Sequence, residues 1–135
     1  MTIQESLRQV LEKRDDLAAL FYEVFFDRHP EAKAFFSDVN LKYQTVLLTM
    51  ALMVIERHHT NGYLATELYL KYLGHKHHRR DVPPELYPKW IESLLAALEK
   101  FHGRDWDDEA AGQWRAALDR ASEAMLNGYR EPVCV

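Results

Sequence analysis

The stretch "LGHKHHRRDVPPELYPKW", residues 73–90, sets three histidines and a basic pair in front of a Pro-Pro corner, and then opens a new apolar run. Its first half has helical spacing. At 100° per residue, Leu70, Leu73 and His77 fall within about 60° of one another, while His75 and His78 point away from that face. Pro83 and Pro84 stop the helix. Beyond them, "ELYPKWIESLLAALEKFH" places Leu86, Trp90, Ile91, Leu94, Leu95, Leu98 and Phe101 in one stripe, which predicts a strongly amphipathic second helix. Two helices meeting at a rigid corner, with one histidine on the apolar face, form the unit that decides the fold. Two accounts of His77 stay open on spacing alone. It is a core histidine bonded to a neighbour, or it is a metal ligand offered from an apolar wall. A zinc site built from all three histidines is disfavoured, because positions i and i+2 of a helix diverge and no cysteine or carboxylate lies close by to complete the set. The exposed side of "HKHHRR" reads as a contact patch or as a solvated helix end whose cations favour the C-terminal dipole.

The same periodicity extends in both directions. Residues 2–14 carry Ile3, Leu7, Val10 and Leu11 at helical spacing, and Asp15 and Asp16 look like the start of a helix over "LAALFYEVFFDRH". His29-Pro30 breaks it, since the residue before proline avoids the α region. Pro30 suits the first turn of a short helix, "PEAKAFF". A long apolar helix is expected over about 41–58, closed by the Asn61-Gly62 turn. The helix leading to His77 follows, and Gly74 inside it costs stability. Gly103 ends the amphipathic helix. Asp105 or Asp107 caps a last one over about 108–127, with Trp114, Ala117, Leu118, Ala121 and Met125 facing inward. Few segments read as strands, and neither an internal repeat nor an interdomain linker is visible. The class is all-α with six or seven helices, too many of them short or broken for an up-down bundle.

Bulk properties narrow the function. With 135 residues, the chain has the length of one domain that can bury a core. A net charge of −4 argues against a general nucleic-acid binder. Cys134 is the only cysteine, so no internal disulfide can form, and a lone thiol fits a reducing compartment. The N-terminal stretch is charged throughout, without an apolar signal core, and the longest apolar runs fall far short of the roughly 20 residues that span a bilayer. These features predict a soluble cytoplasmic protein with no membrane partner.

A second constellation lies on the long helix. Gln44, Leu48, Leu52 and Ile55 share one face, which puts a single amide on a wall of aliphatics. Tyr22 sits in "ALFYEVFF", and Phe36 ends "PEAKAFF" as a flat aromatic wall. A buried tyrosine or glutamine without a partner costs about 1–3 kcal/mol. Either they bond to each other or to backbone, or they converge on something polar bound in an apolar pocket. Met50 and Met53, on the same helix, read as core filler.

Taken together, these segments resemble a globin over essentially the whole chain up to about residue 128. "FYEVFFDRHPEAKAFF" resembles the second and third helices of bacterial globins, and "QTVLL" the distal helix with its glutamine and, four residues on, leucine. "LGHKHHRRDVPPELYP" resembles the proximal segment, and "GRDWDDEAAGQWRAAL" the start of the last helix with its tryptophan. The subgroup it looks most like is the single-domain bacterial globins similar to the haem domain of flavohaemoglobins; the full-length first helix disfavours the truncated type.

The resemblance implies a globin fold of six to eight helices, with residues 1–131 as the domain and 132–135 as a tail. It implies haem b (iron protoporphyrin IX) as cofactor. His77 would be the proximal iron ligand, and Val82, Phe36, Leu48, Leu73 and Tyr87 would line the cofactor. Tyr22 and Gln44 would face a diatomic ligand, O2, NO or CO. The second ring nitrogen of His77 is expected to find the backbone carbonyl of Leu73 or a nearby one. Flavohaemoglobins pair the proximal histidine with a tyrosine and a glutamate. Tyr87 matches the tyrosine, but Tyr129 stands at the position aligned with the glutamate, with Glu131 two residues beyond and Glu123 over a turn earlier. The function implied is reversible gas binding for storage, delivery or sensing. The enzymatic alternative is NO dioxygenation, which needs an external reductase, because the chain is too short to include a flavin reductase domain and lacks a nucleotide-binding glycine motif. A haem-free globin fold used for sensing or interaction is the third reading. Oligomeric state is not readable from the sequence.

Overall fold

The computed structural model describes residues 1–130. Glu131, Cys134 and the tail assigned to 132–135 lie outside the described residues. Six α-helices carry the fold: α1 (Ile3–Glu12), α2 (Arg14–Arg28), α3 (Leu41–Asn61), α4 (Leu64–Arg79), α5 (Leu86–His102) and α6 (Asp108–Arg130). Two 3-10 segments, Pro30–Phe36 and Gly103–Asp105, join them, and no strand occurs among the described residues. The helix ends follow local chemistry. Thr2 Oγ1 accepts the Glu5 N–H at 3.1 Å, Asn40 Oδ1 that of Lys42 at 2.9 Å, and Asp107 Oδ1 that of Ala110 at 2.9 Å. Gly62, at φ 66°, supplies the left-handed residue that closes α3. The join between α1 and α2 is the single residue Lys13, so α2 starts at Arg14 with Asp15 and Asp16 in its first turn, where the helix dipole favours them. Leu11 is exposed, because it lies about 100° round the helix from Val10, which takes the inward position.

The core forms where α2 packs on α5 and where α3 and α4 pack on α6. Phe21, Phe25, Leu52, Leu94, Leu98 and Trp114 are almost wholly buried in it. The cost expected for Gly74 has a structural return. A Cβ built on Gly74 would lie 1.8 Å from the carbonyl oxygen of Met125, and one on Gly128 would lie 2.1 Å from the carbonyl oxygen of Lys71. α4 and α6 therefore touch backbone to backbone, and each helix needs a residue without a side chain at the crossing.

A buried polar cluster ties α1 to the end of α5. The Trp114 indole N–H donates to Ser6 Oγ at 2.9 Å, and Ser6 Oγ lies 2.6 Å from His102 Nε2. Gln9 Oε1, which can only accept, lies 3.3 Å from His102 Nδ1, so the neutral ring carries its proton there and Nε2 accepts from the Ser6 hydroxyl. Burial pushes the His102 imidazole below its ordinary range, partly opposed by Asp105. The neutral ring is the one that holds the cluster, so its stabilisation is complete above the unfolded-state histidine pKa of about 6.5 and is lost as pH falls below it. Burial first moves His58 the same way. The denaturant midpoint should therefore fall between pH 7.5 and pH 5, and His102→Gln should lose less over that interval than the parent protein; equal losses would show that His102 is not the group responsible.

Candidate functional site

The helix–corner–helix unit places His77 near the end of α4, half-buried, with Nδ1 3.1 Å from the hydroxyl of buried Tyr87 in the first turn of α5. The expected intrahelical acceptor is thus corrected. The Leu73 carbonyl belongs to the α4 ladder, and the corner brings a phenol to the ring instead. Burial, then the charges of Arg80 and Lys76, push the His77 imidazole below its ordinary range, so it is neutral at neutral pH and keeps a nitrogen lone pair. Burial first, and the Tyr129 hydroxyl second, push the Tyr87 phenol well above its ordinary range. His75 is half-buried; His78 is exposed, with its ring 4.8 Å from that of Tyr129. His77 is the one of the three that Tyr87 engages.

The corner is held by backbone. The Val82 N–H donates to the His77 carbonyl at 3.0 Å, and Asp81 takes φ 62° to allow it. The Val82 carbonyl in turn accepts the Tyr129 hydroxyl at 2.7 Å. Leu73 packs, partly buried, against the core. The part played by Gly128 and Tyr129 was missed from sequence. The sequence signal was thin, because Gly128 lies one residue past the expected end of the last helix and Gly112, in the same helix, meets nothing within 4 Å.

In a separate group, Tyr22, Phe36 and Gln44 come together from α2, the 3-10 segment and α3, and Leu48 lies one turn along α3 from Gln44 in the core. The Tyr22 ring meets Phe36 edge-on at 5.7 Å and stacks on Phe26 at 5.7 Å. Its hydroxyl donates to the backbone carbonyl of Gln44 at 3.4 Å, long for an O–H···O bond. Burial pushes this phenol far above its ordinary range, so it remains a proton donor. Leu48 is buried and Gln44 half-buried, as their shared face predicts. An open groove of about 620 Å³ runs between the starts of α2 and α3, with Arg14, Asp15, Lys42, Tyr22 and Leu41 in its wall. Met50 and Met53 are not core filler. They are 49% and 37% exposed, because Met50 points roughly opposite Leu48 and Leu52 on α3 and Met53 lies at least about 100° round from both.

Comparison with known proteins gives a consistent grouping. The Globin family model matches residues 19–125. A Flavohemoprotein of Halalkalibacterium halodurans is 28% identical over 108 residues, covering 78% of this chain and 26% of that protein. The chain thus spans about a quarter of that relative's length. An uncharacterized globin-like protein of Aquifex aeolicus is 23% identical, with 92% of this chain and 86% of that protein covered. A solved structure from Pseudomonas aeruginosa PAO1, described as structurally highly homologous to a human hemoglobin, aligns with TM-score 0.79 and 26% identity over 95% of this chain and 98% of that one.

Proposed function

This chain belongs to the globin family, and from that premise we propose that it is a haem protein that binds a diatomic gas reversibly, with His77 as the proximal ligand. One observation carries the reading: a neutral imidazole whose Nδ1 is taken by Tyr87 leaves Nε2 for a metal. Among the described residues no group of three or more His, Cys, Asp or Glu converges. The single imidazole therefore fits a metal that arrives with its other donors, as iron does in a porphyrin. Leu48, Leu73, Val82 and Phe36 are apolar and suit the faces of such a ring.

Haem b, when bound, would supply the iron that takes up the gas. The chain supplies the rest. Tyr87 fixes the tautomer of His77 by accepting its Nδ1 proton. Tyr22 and Gln44 offer an O–H and an amide N–H to a polar ligand, while Leu48 and Phe36 exclude water around them. We assign residues 1–131 to this domain. Among the described residues no helix is long and apolar enough to cross a membrane; the lone cysteine supports a reducing compartment such as the cytoplasm.

Hemin titration tests the reading. The parent protein should take up one equivalent and develop a Soret band. Tyr87→Phe should weaken retention roughly 10- to 100-fold, as loss of a partner to a metal-bound histidine typically does. His77→Gly should weaken it further and alter the ferrous spectrum, with added imidazole restoring both. A parent protein that stays colourless, or a His77→Gly spectrum identical to the parent's, overturns the assignment.

A further inference from the structure

Four contacts close a ring around the proximal histidine. The Val82 N–H donates to the His77 carbonyl at 3.0 Å, and the Tyr129 hydroxyl donates to the Val82 carbonyl at 2.7 Å. The Tyr129 ring meets that of Tyr87 edge-on at 5.9 Å and 79°, and the Tyr87 hydroxyl lies 3.1 Å from His77 Nδ1. The circuit leaves His77 through its backbone and returns through its side chain. Only Tyr129 lies outside the helix–corner–helix unit, so it is the member that must be brought in from elsewhere. Gly128 brings it in. A Cβ there would sit 2.1 Å from the Lys71 carbonyl oxygen and 2.7 Å from the His75 nitrogen, so only a bare backbone allows α6 to come this close to α4. The next residue then reaches the corner.

We propose that Gly128 and Tyr129, in the last turn of α6, are positioning residues for His77: the glycine sets the helix spacing, and the tyrosine locks the corner and the Tyr87 phenol that orients the imidazole. The inference rests on His77 being the iron ligand. None of the four residues carries a carboxylate. These four residues therefore aim the imidazole without themselves adding negative charge to it.

Tyr129→Phe keeps the ring and removes the bond to Val82. Two measurements read the result. In the haem-free protein, amide exchange at Val82 should quicken about 5- to 10-fold, in line with loss of one hydrogen bond of about 1 kcal/mol. In the ferrous haem-loaded protein, the iron–histidine stretching band should shift or broaden, and Tyr129→Glu should move it to higher frequency by adding a charge the parent lacks. A lower melting temperature with both signals unchanged overturns the proposal, because a merely structural tyrosine would give that pattern. Gly128→Ala should reproduce the band change; if it fails to fold, Tyr129→Phe decides alone. If the parent does not bind hemin, the haem reading fails, and the amide exchange still tests the lock.

Discussion

Gly74→Ala destabilises this protein by about 3 kcal/mol or more, although the same change in an exposed helix would stabilise it by up to about 1 kcal/mol. The atom that a new methyl would meet is a backbone carbonyl oxygen of Met125, at 1.8 Å. That is 1.6 Å short of the 3.4 Å at which ordinary contact begins. A flexible side chain could swing aside, but a carbonyl inside α6 cannot without moving the helix. α4 and α6 must then separate over an extensive shared contact, and the leucines and alanines along it lose their neighbours. A urea melt followed by far-ultraviolet circular dichroism would show a lower midpoint, with the melting temperature down on the order of 10 °C. A midpoint equal to the parent's would mean that α4 and α6 do not touch backbone to backbone. The consequence extends beyond stability, because α4 carries His77 and α6 carries Tyr129.

That crossing also marks where the sequence stops being legible. Element types, the faces of α5 and α6 and the inner stripe of α3 could be read because aliphatic side chains repeat at helical spacing and capping residues mark the ends. Leu48, Leu52 and Ile55 are buried in the positions their wheel predicts, as are Trp114, Leu118 and Ala121. His77 could be singled out because it shares a face with Leu70 and Leu73. Periodicity says which way a residue points within its own helix. It does not say which other helix lies there, or how near. Gly74 thus read as a cost, when its reason is a partner 51 residues later in the chain. The hydroxyl that meets His77 Nδ1 could not be read from spacing for the same reason, since it depends on the angle of the Pro-Pro corner. Met50 and Met53 failed differently. The long helix is apolar on much of its circumference, so hydrophobicity alone does not separate its inner side from its outer one, and Tyr43, Val46 and Leu47 are exposed alongside the methionines.

Tyr22→Phe should speed O2 dissociation from the ferrous haem-loaded protein roughly 10- to 150-fold. The substitution is clean. The ring keeps its edge-on contact with Phe36 and its stacking on Phe26, so only the hydroxyl is lost. In the structure that hydroxyl holds the Gln44 carbonyl at 3.4 Å. This carbonyl also belongs to the α3 ladder, so releasing it costs little and stability should change by less than about 1 kcal/mol. Burial keeps the phenol protonated throughout the working pH range. It can therefore turn from a weak backbone acceptor to a stronger one that carries partial negative charge, as O2 does when it binds and CO hardly does. A hydrogen bond to a charged acceptor contributes about 1.5–3 kcal/mol, which at 1.4 kcal/mol per decade gives the stated range. The CO rate should move far less, which separates loss of the donor from a general loosening of the pocket. Gln44→Leu should also speed O2 release, and the double substitution should fall short of the product of the two single effects if both groups serve one ligand. An O2 off-rate within twofold of the parent's in Tyr22→Phe would place the donor elsewhere.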